Sequence, residues 1–150
     1  MRFEHLVAGT TLRAGPRAVT EDEIVEFARR YDPQPFHTDR AWANASRWGG
    51  LIASGWMTCG IAMELAVRHV LDGSESIGSP GLEELRWEKP VRPGDALTLT
   101  VTVLESKRSG SGRTGVVRWR WELHNQHGER VLSLVATSLF DVSGAAELPA

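Results

Sequence analysis

Gly55-Trp56-Met57-Thr58-Cys59-Gly60-Ile61-Ala62-Met63-Glu64-Leu65-Ala66-Val67-Arg68-His69-Val70-Leu71 is the stretch on which the fold turns. Its apolar residues (Trp56, Met57, Cys59, Ile61, Ala62, Met63, Leu65, Ala66, Val67 and Val70) recur nearly all round a helix. Such a helix is expected to be buried rather than half exposed. The small residues of Gly49-Gly50-Leu51-Ile52-Ala53-Ser54 give it a tight approach, and Asp72-Gly73 supplies a C-terminal stop.

Downstream the pattern changes period. Leu97, Leu99, Val101 and Val103 alternate with Thr98, Thr100 and Thr102, which predicts a two-faced strand over Ala96 to Leu104. Leu82 to Lys89, Val116 to Leu123 and Val131 to Phe140 read as further strands, with a Gly/Ser loop at Ser109 to Gly115. Upstream, Thr20-Glu21-Asp22-Glu23 is a capping box. Ile24, Phe27, Ala28 and Tyr31 follow it at i, i+3, i+4 and i+7 as one apolar helical stripe. Pro33 and Pro35 end that helix. Asp39 to Arg47 reads as a short second helix, capped by Thr38 or Asp39, and Thr11 to Val19 as a weak first strand. Helices first and at least four long antiparallel strands afterwards mean α+β. The simplest packing wraps the sheet around the apolar helix, which is the hot-dog arrangement.

The length of 150 residues fits one domain, and no internal repeat or linker breaks it. With 41% hydrophobic and 24% charged residues the composition is ordinary for a globular chain. A net charge of -2 without a basic stripe speaks against nucleic acid as a partner. Cys59 is the only cysteine, so an internal disulfide is impossible and a Cys-based zinc site is not expected. No signal peptide and no bilayer-length apolar run stand out, so the expected location is cytoplasmic, with no membrane partner. The small, polar tail after Val142 is expected to fray.

The chemistry is concentrated in Tyr31-Asp32-Pro33-Gln34-Pro35-Phe36-His37-Thr38-Asp39. On one helix Asp32 and His37 would point about 140° apart. The prolines forbid that helix and hold the segment as an extended loop, where both side chains can face one pocket. A carboxylate and an imidazole held together can share a water and supply a base and an acid, with the Asp expected to shift upward on desolvation. Ser54-Gly55, at the start of the apolar helix, offers free N–H groups to an oxyanion. A helix end that polarises a carbonyl beside an Asp/His pair suits adding water to, or removing it across, a double bond conjugated to that carbonyl.

The run Asp32-x-Gln34-Pro35-Phe36-His37-x-Asp39 resembles the Asp-x-Asn-Pro-(aliphatic)-His-x-Asp signature of MaoC-like dehydratases and (R)-specific enoyl-CoA hydratases. Gly50 to Met57 is similar to that family's entry into its central helix, and Leu85 to Asp95 to its strand and following turn. The resemblance implies that Asp32 and His37 activate the water and exchange the Cα proton, and that the Gly55 N–H binds the thioester oxygen. Gln34, Ser54 and Trp56 are then expected beside the substrate. That substrate would be an acyl-CoA, with acyl carrier protein as the other possible carrier. No cofactor is implied beyond the coenzyme A of the substrate, and the assembly would be a homodimer or a larger even-numbered oligomer. Gln34 stands where the family has Asn, Tyr31 for Gly, Ser54 for His, and Phe36 for an aliphatic residue.

Plainer readings compete with these. Asp32 before Pro33 can simply open a turn, and His37 can be a packed surface residue. His37-x-Asp39 lacks a third ligand for a metal, so none is expected. Two other functions share the fold: a thioesterase, for which Glu64 is the only acidic residue in the middle of the long helix, and a non-catalytic acyl-CoA-binding protein.

Overall fold

The computed structural model describes residues 1–146. A 3-10 turn (Phe3–His5) precedes β1 (Thr11–Ala18), and then come four helices: α1 (Glu21–Tyr31), α2 (Pro35–Thr38), α3 (Arg40–Ala45) and α4 (Gly55–Ala66). The strands β2 (Ser76–Trp87), β3 (Ala96–Arg108), β4 (Thr114–His124) and β5 (Arg130–Asp141) complete the fold. They form one antiparallel sheet in the order β1-β3-β4-β5-β2, with α4 packed on it. This is the α+β hot-dog architecture.

Alternation decides which face of the sheet meets α4. Leu97, Leu99, Val101 and Val103 of β3 are fully buried, as are Val117, Trp119 and Leu123 of β4. From α4, Met57, Ile61 and Leu65 enter the same cluster. Each such side chain contributes roughly 1.5–3 kcal/mol on burial. The Trp119 indole, without exposure to water, donates its N–H to Ser138 Oγ at 3.1 Å. Among the described residues no helix is long and apolar enough to cross a membrane.

Three local expectations change. The extended loop predicted after Pro33 instead contains α2, with Pro35 in its first turn, where a missing N–H costs nothing. The predicted strand at Leu82 begins at Ser76; Gly78 and Gly81 mark register shifts against β5, and Pro80 is tolerated because β2 is an edge strand. The helix from Gly55 keeps α geometry only to Ala66, and Val67–Leu71 form a π turn. Its burial is also one-sided, since Trp56, Met63 and Val67 stand exposed: the chain's own sheet covers the opposite face. At the C-terminus, where fraying was expected, Ser143–Ala146 form a 3-10 turn, and the rest of that tail lies outside the described residues.

Candidate active site

The two ends of α1 have different tasks. At the start, the Thr20 hydroxyl accepts from the Glu23 N–H at 3.2 Å while Glu23 Oε1 accepts from the Thr20 N–H at 2.8 Å. Ile24 and Ala28 then bury one stripe. At the end, Asp32 is the C-cap, its N–H bonded to the Ala28 carbonyl at 2.8 Å, and Pro33 stops further winding. Gln34 and Pro35 restart the chain as α2, whose one turn carries His37. Asp39 closes α2 and opens α3, accepting from the Trp42 N–H at 3.0 Å, so the cap is Asp39 rather than Thr38.

This turn-break-turn brings Asp32 Oδ2 within 3.1 Å of His37 Nε2. His37 is 4% exposed, which excludes a surface packing role. Its other ring nitrogen, Nδ1, lies 2.6 Å from the Ile52 carbonyl. A carbonyl only accepts, so Nδ1 carries a hydrogen and Nε2 is the atom turned to Asp32. A hydrogen bond at that contact needs one proton between Nε2 and Oδ2. The approach loop to α4 is tied to α2 again by the Ile52 N–H to Phe36 carbonyl bond at 3.2 Å.

The Asp32 carboxyl was expected to be shifted upward, and it is shifted downward. Burial does push it up, and that is the largest single influence. Hydrogen bonds from Gln34 and Ser54, with the charge and hydrogen bond of His37, outweigh burial together and hold the group below its ordinary value. The Gln34 amide donates to Asp32 Oδ1 at 2.7 Å. Gln34 therefore occupies the carboxylate's second oxygen, where the family resemblance implied a place beside the substrate. Ser54, fully buried, is the N-cap of α4 and accepts from the Trp56 N–H at 3.3 Å.

A cavity of about 340 Å³ opens beside His37, lined by His37, Trp48, Ile52, Gly55, Thr58 and Trp87 among others; Asp32 is not among its lining residues and meets it through His37. The Gly55 N–H, first in α4, has no earlier helical carbonyl to bond. Trp56 does not line this cavity; the residue is 60% exposed and its ring meets Trp87 edge-on at 5.2 Å. Three participants escaped sequence reasoning: the Ile52 carbonyl, Thr58 and Trp87. A backbone carbonyl carries no residue-type signal, and Trp87 reaches Gly55 from across the sheet. Glu64 is engaged by Arg17 at 3.0 Å and Arg68 at 3.3 Å. Cys59 is half-buried and its thiol is pushed up by that burial, which suits packing rather than nucleophilic attack.

The sequence profile of the MaoC like domain matches residues 3–124. The crystal structure of the MaoC-like dehydratase from Rhodospirillum rubrum superposes with a TM-score of 0.84 at 37% identity, covering 92% of this chain and 94% of that one. Bacillus subtilis YdeM is 29% identical over 131 residues, which are 87% of this chain and 92% of YdeM. Mesaconyl-CoA hydratase of Cereibacter sphaeroides is 45% identical over 79 residues, 48% of this chain but 23% of that longer protein.

Proposed function

This chain belongs to the MaoC-like domain family, and from that premise we propose that it is a hydro-lyase interconverting a 2-enoyl-CoA and an (R)-3-hydroxyacyl-CoA. The observation that carries the reading is the 3.1 Å contact of Asp32 Oδ2 with Nε2 of His37, a residue that lines a cavity together with Gly55, the first residue of α4. The likeness to a hydratase named for a CoA thioester supports the substrate class.

In the hydration direction a water sits against the pair. Asp32, held as a carboxylate by Gln34 and Ser54, takes one proton as the hydroxyl adds to Cβ. His37 Nε2 gives its proton to Cα. Negative charge that gathers on the thioester oxygen meets the Gly55 N–H and the positive end of α4. The proton on Asp32 then crosses to Nε2 and restores the pair, so one water is added and nothing else is consumed. Dehydration runs the same steps backward.

Thioester hydrolysis has weaker support, because the Glu64 carboxylate is already paired with two arginines. The exposed apolar face of α4 and the exposed edge strand β2 support a homodimer or larger even-numbered assembly. Loss of the enoyl absorbance of crotonyl-CoA tests hydration, and a free-thiol assay on the same mixture tests hydrolysis. Absorbance loss without thiol release is the expected result. Thiol release, or inertness in both, refutes the proposal.

A further inference from the structure

The proton chemistry leaves one wall of the cavity without a role. Trp87 ends β2 opposite Leu132 of β5, and the next residue, Glu88, donates its N–H to the Val131 carbonyl at 3.0 Å. The Glu88 carboxylate also pairs with Arg130 at 2.6 Å. The backbone at Trp87 is thus fixed by the sheet. Its indole leaves that edge and lies over the first turn of α4. A Cβ placed on Gly55 would fall 2.5 Å from Cε2, 2.7 Å from Cδ2 and 2.8 Å from Nε1 of the ring. Trp56 meets the indole at 79° between planes. One turn of one helix therefore seats the ring, while 45% of Trp87 remains exposed.

Resting on the acyl-thioester reading above, we infer that Trp87 is a specificity-determining residue: its indole closes the cavity beside Gly55 and limits the acyl group to a short one. Gly55 is both the residue the thioester oxygen must approach and the seat of the ring. An acyl chain continuing along the first turn of α4 has to displace the indole. The cavity, at about 340 Å³, is near the small end of ligand sites, which run from about 300 to 1,000 Å³. Of its remaining walls, Ile52, Ala53, Thr58 and Val91 are buried, whereas Trp48, Glu88, Lys89 and Pro90 are exposed. The half-exposed indole is the wall seated on Gly55, and a substitution can remove it without opening the core.

Isothermal titration with butanoyl-CoA and decanoyl-CoA, which lack the reacting double bond, reads the wall without reading turnover. The wild type is expected to favour butanoyl-CoA. Trp87→Ala should shift the ratio of the two dissociation constants toward decanoyl-CoA by about tenfold or more, the scale of pocket discrimination by size. Trp87→Phe, which keeps an aromatic ring on Gly55, should fall between them and serves as the readout if the alanine variant does not fold. The kcat/KM ratio for crotonyl-CoA over 2-decenoyl-CoA should move in parallel. Binding ratios that stay within twofold in both variants overturn the Trp87 assignment alone. A wild type that binds neither ester overturns the acyl-thioester reading beneath it.

Discussion

Replacing Gln34 by Met removes one hydrogen bond and keeps the side-chain length. The bond lost is the 2.7 Å donation to Asp32 Oδ1. A hydrogen bond to a charged group is worth about 1.5–3 kcal/mol. Gln34 lies at the surface, where water partly replaces it, so the low end applies. One pKa unit corresponds to about 1.4 kcal/mol, and the expected rise in the Asp32 carboxyl is therefore about one unit. The direction follows from which form is stabilised. Gln34 donates to the carboxylate, and its loss favours the protonated acid. In the wild type the carboxyl is held below its ordinary value. Activity that needs Asp32 ionised is complete above that range and falls only in strong acid.

The assay is kcat/KM for crotonyl-CoA against pH, which reports the free enzyme's ionisations. In Gln34→Met the acid limb should move toward higher pH by about one unit, while the neutral plateau stays within a few-fold of wild type. Stability carries the same sign. A depressed carboxyl stabilises the fold above its unfolded pKa, near 3.9, and that contribution is lost as pH falls through the folded value. The variant should thus be less stable than wild type by about 1 kcal/mol at neutral pH and equal to it in strong acid, where both carboxyls are protonated. An unmoved acid limb refutes the reasoning. An unmoved limb with altered preference among acyl groups would return Gln34 to the substrate pocket.

Asp32→Asn and His37→Gln should each lower kcat by about 10²–10⁴ with little change in melting temperature. The double variant should be scarcely worse than either single one, since both act on one water. Gly55→Val should cut kcat/KM by roughly 10²–10³, and because its Cβ meets the indole of Trp87, a changed tryptophan emission should accompany the loss; wild-type rates would move the oxyanion contact elsewhere. Sedimentation at micromolar concentration should show a dimer or larger even-numbered assembly, and Met63→Glu, on the exposed face of α4, should weaken it; a monomeric wild type contradicts the assembly.

Legibility in the sequence followed the range of the interaction. The capping box at Thr20 and Glu23 and the alternation in β3 are local patterns, and both elements form at the expected places. The start of β2 was hidden because Gly78, Pro80 and Gly81 interrupt strand patterning when sheet position is unknown; an edge strand tolerates all three. The turn α2 was hidden because Pro35 breaks a helix from within and begins one from its first position. The site divides in the same way. The two prolines suggested that Asp32 and His37 converge, five residues apart. The orientation of His37 depends on a carbonyl fifteen residues away, and the seat on Gly55 depends on an indole thirty-two residues away. Nothing in a single sequence marks such pairs.

The downward shift of Asp32 bears on how such a site works. A base is most effective when its pKa lies near the working pH, and lowering a carboxylate makes it a poorer acceptor. Considered for Asp32 alone, Gln34 and Ser54 oppose catalysis. The opposition disappears when the proton is assigned to the pair. The Ile52 carbonyl fixes a hydrogen on His37 Nδ1, leaving Nε2 as the only ring atom that exchanges a proton. Donors on the Asp32 carboxylate favour the arrangement in which the shared proton rests on the imidazole side of the 3.1 Å contact. That is the side from which the proposed chemistry delivers it to Cα. The cost is a weaker base toward water, and it is offset by holding the water against both groups at once. Gln34 is then a setting of the proton's resting place at the contact of Asp32 with His37.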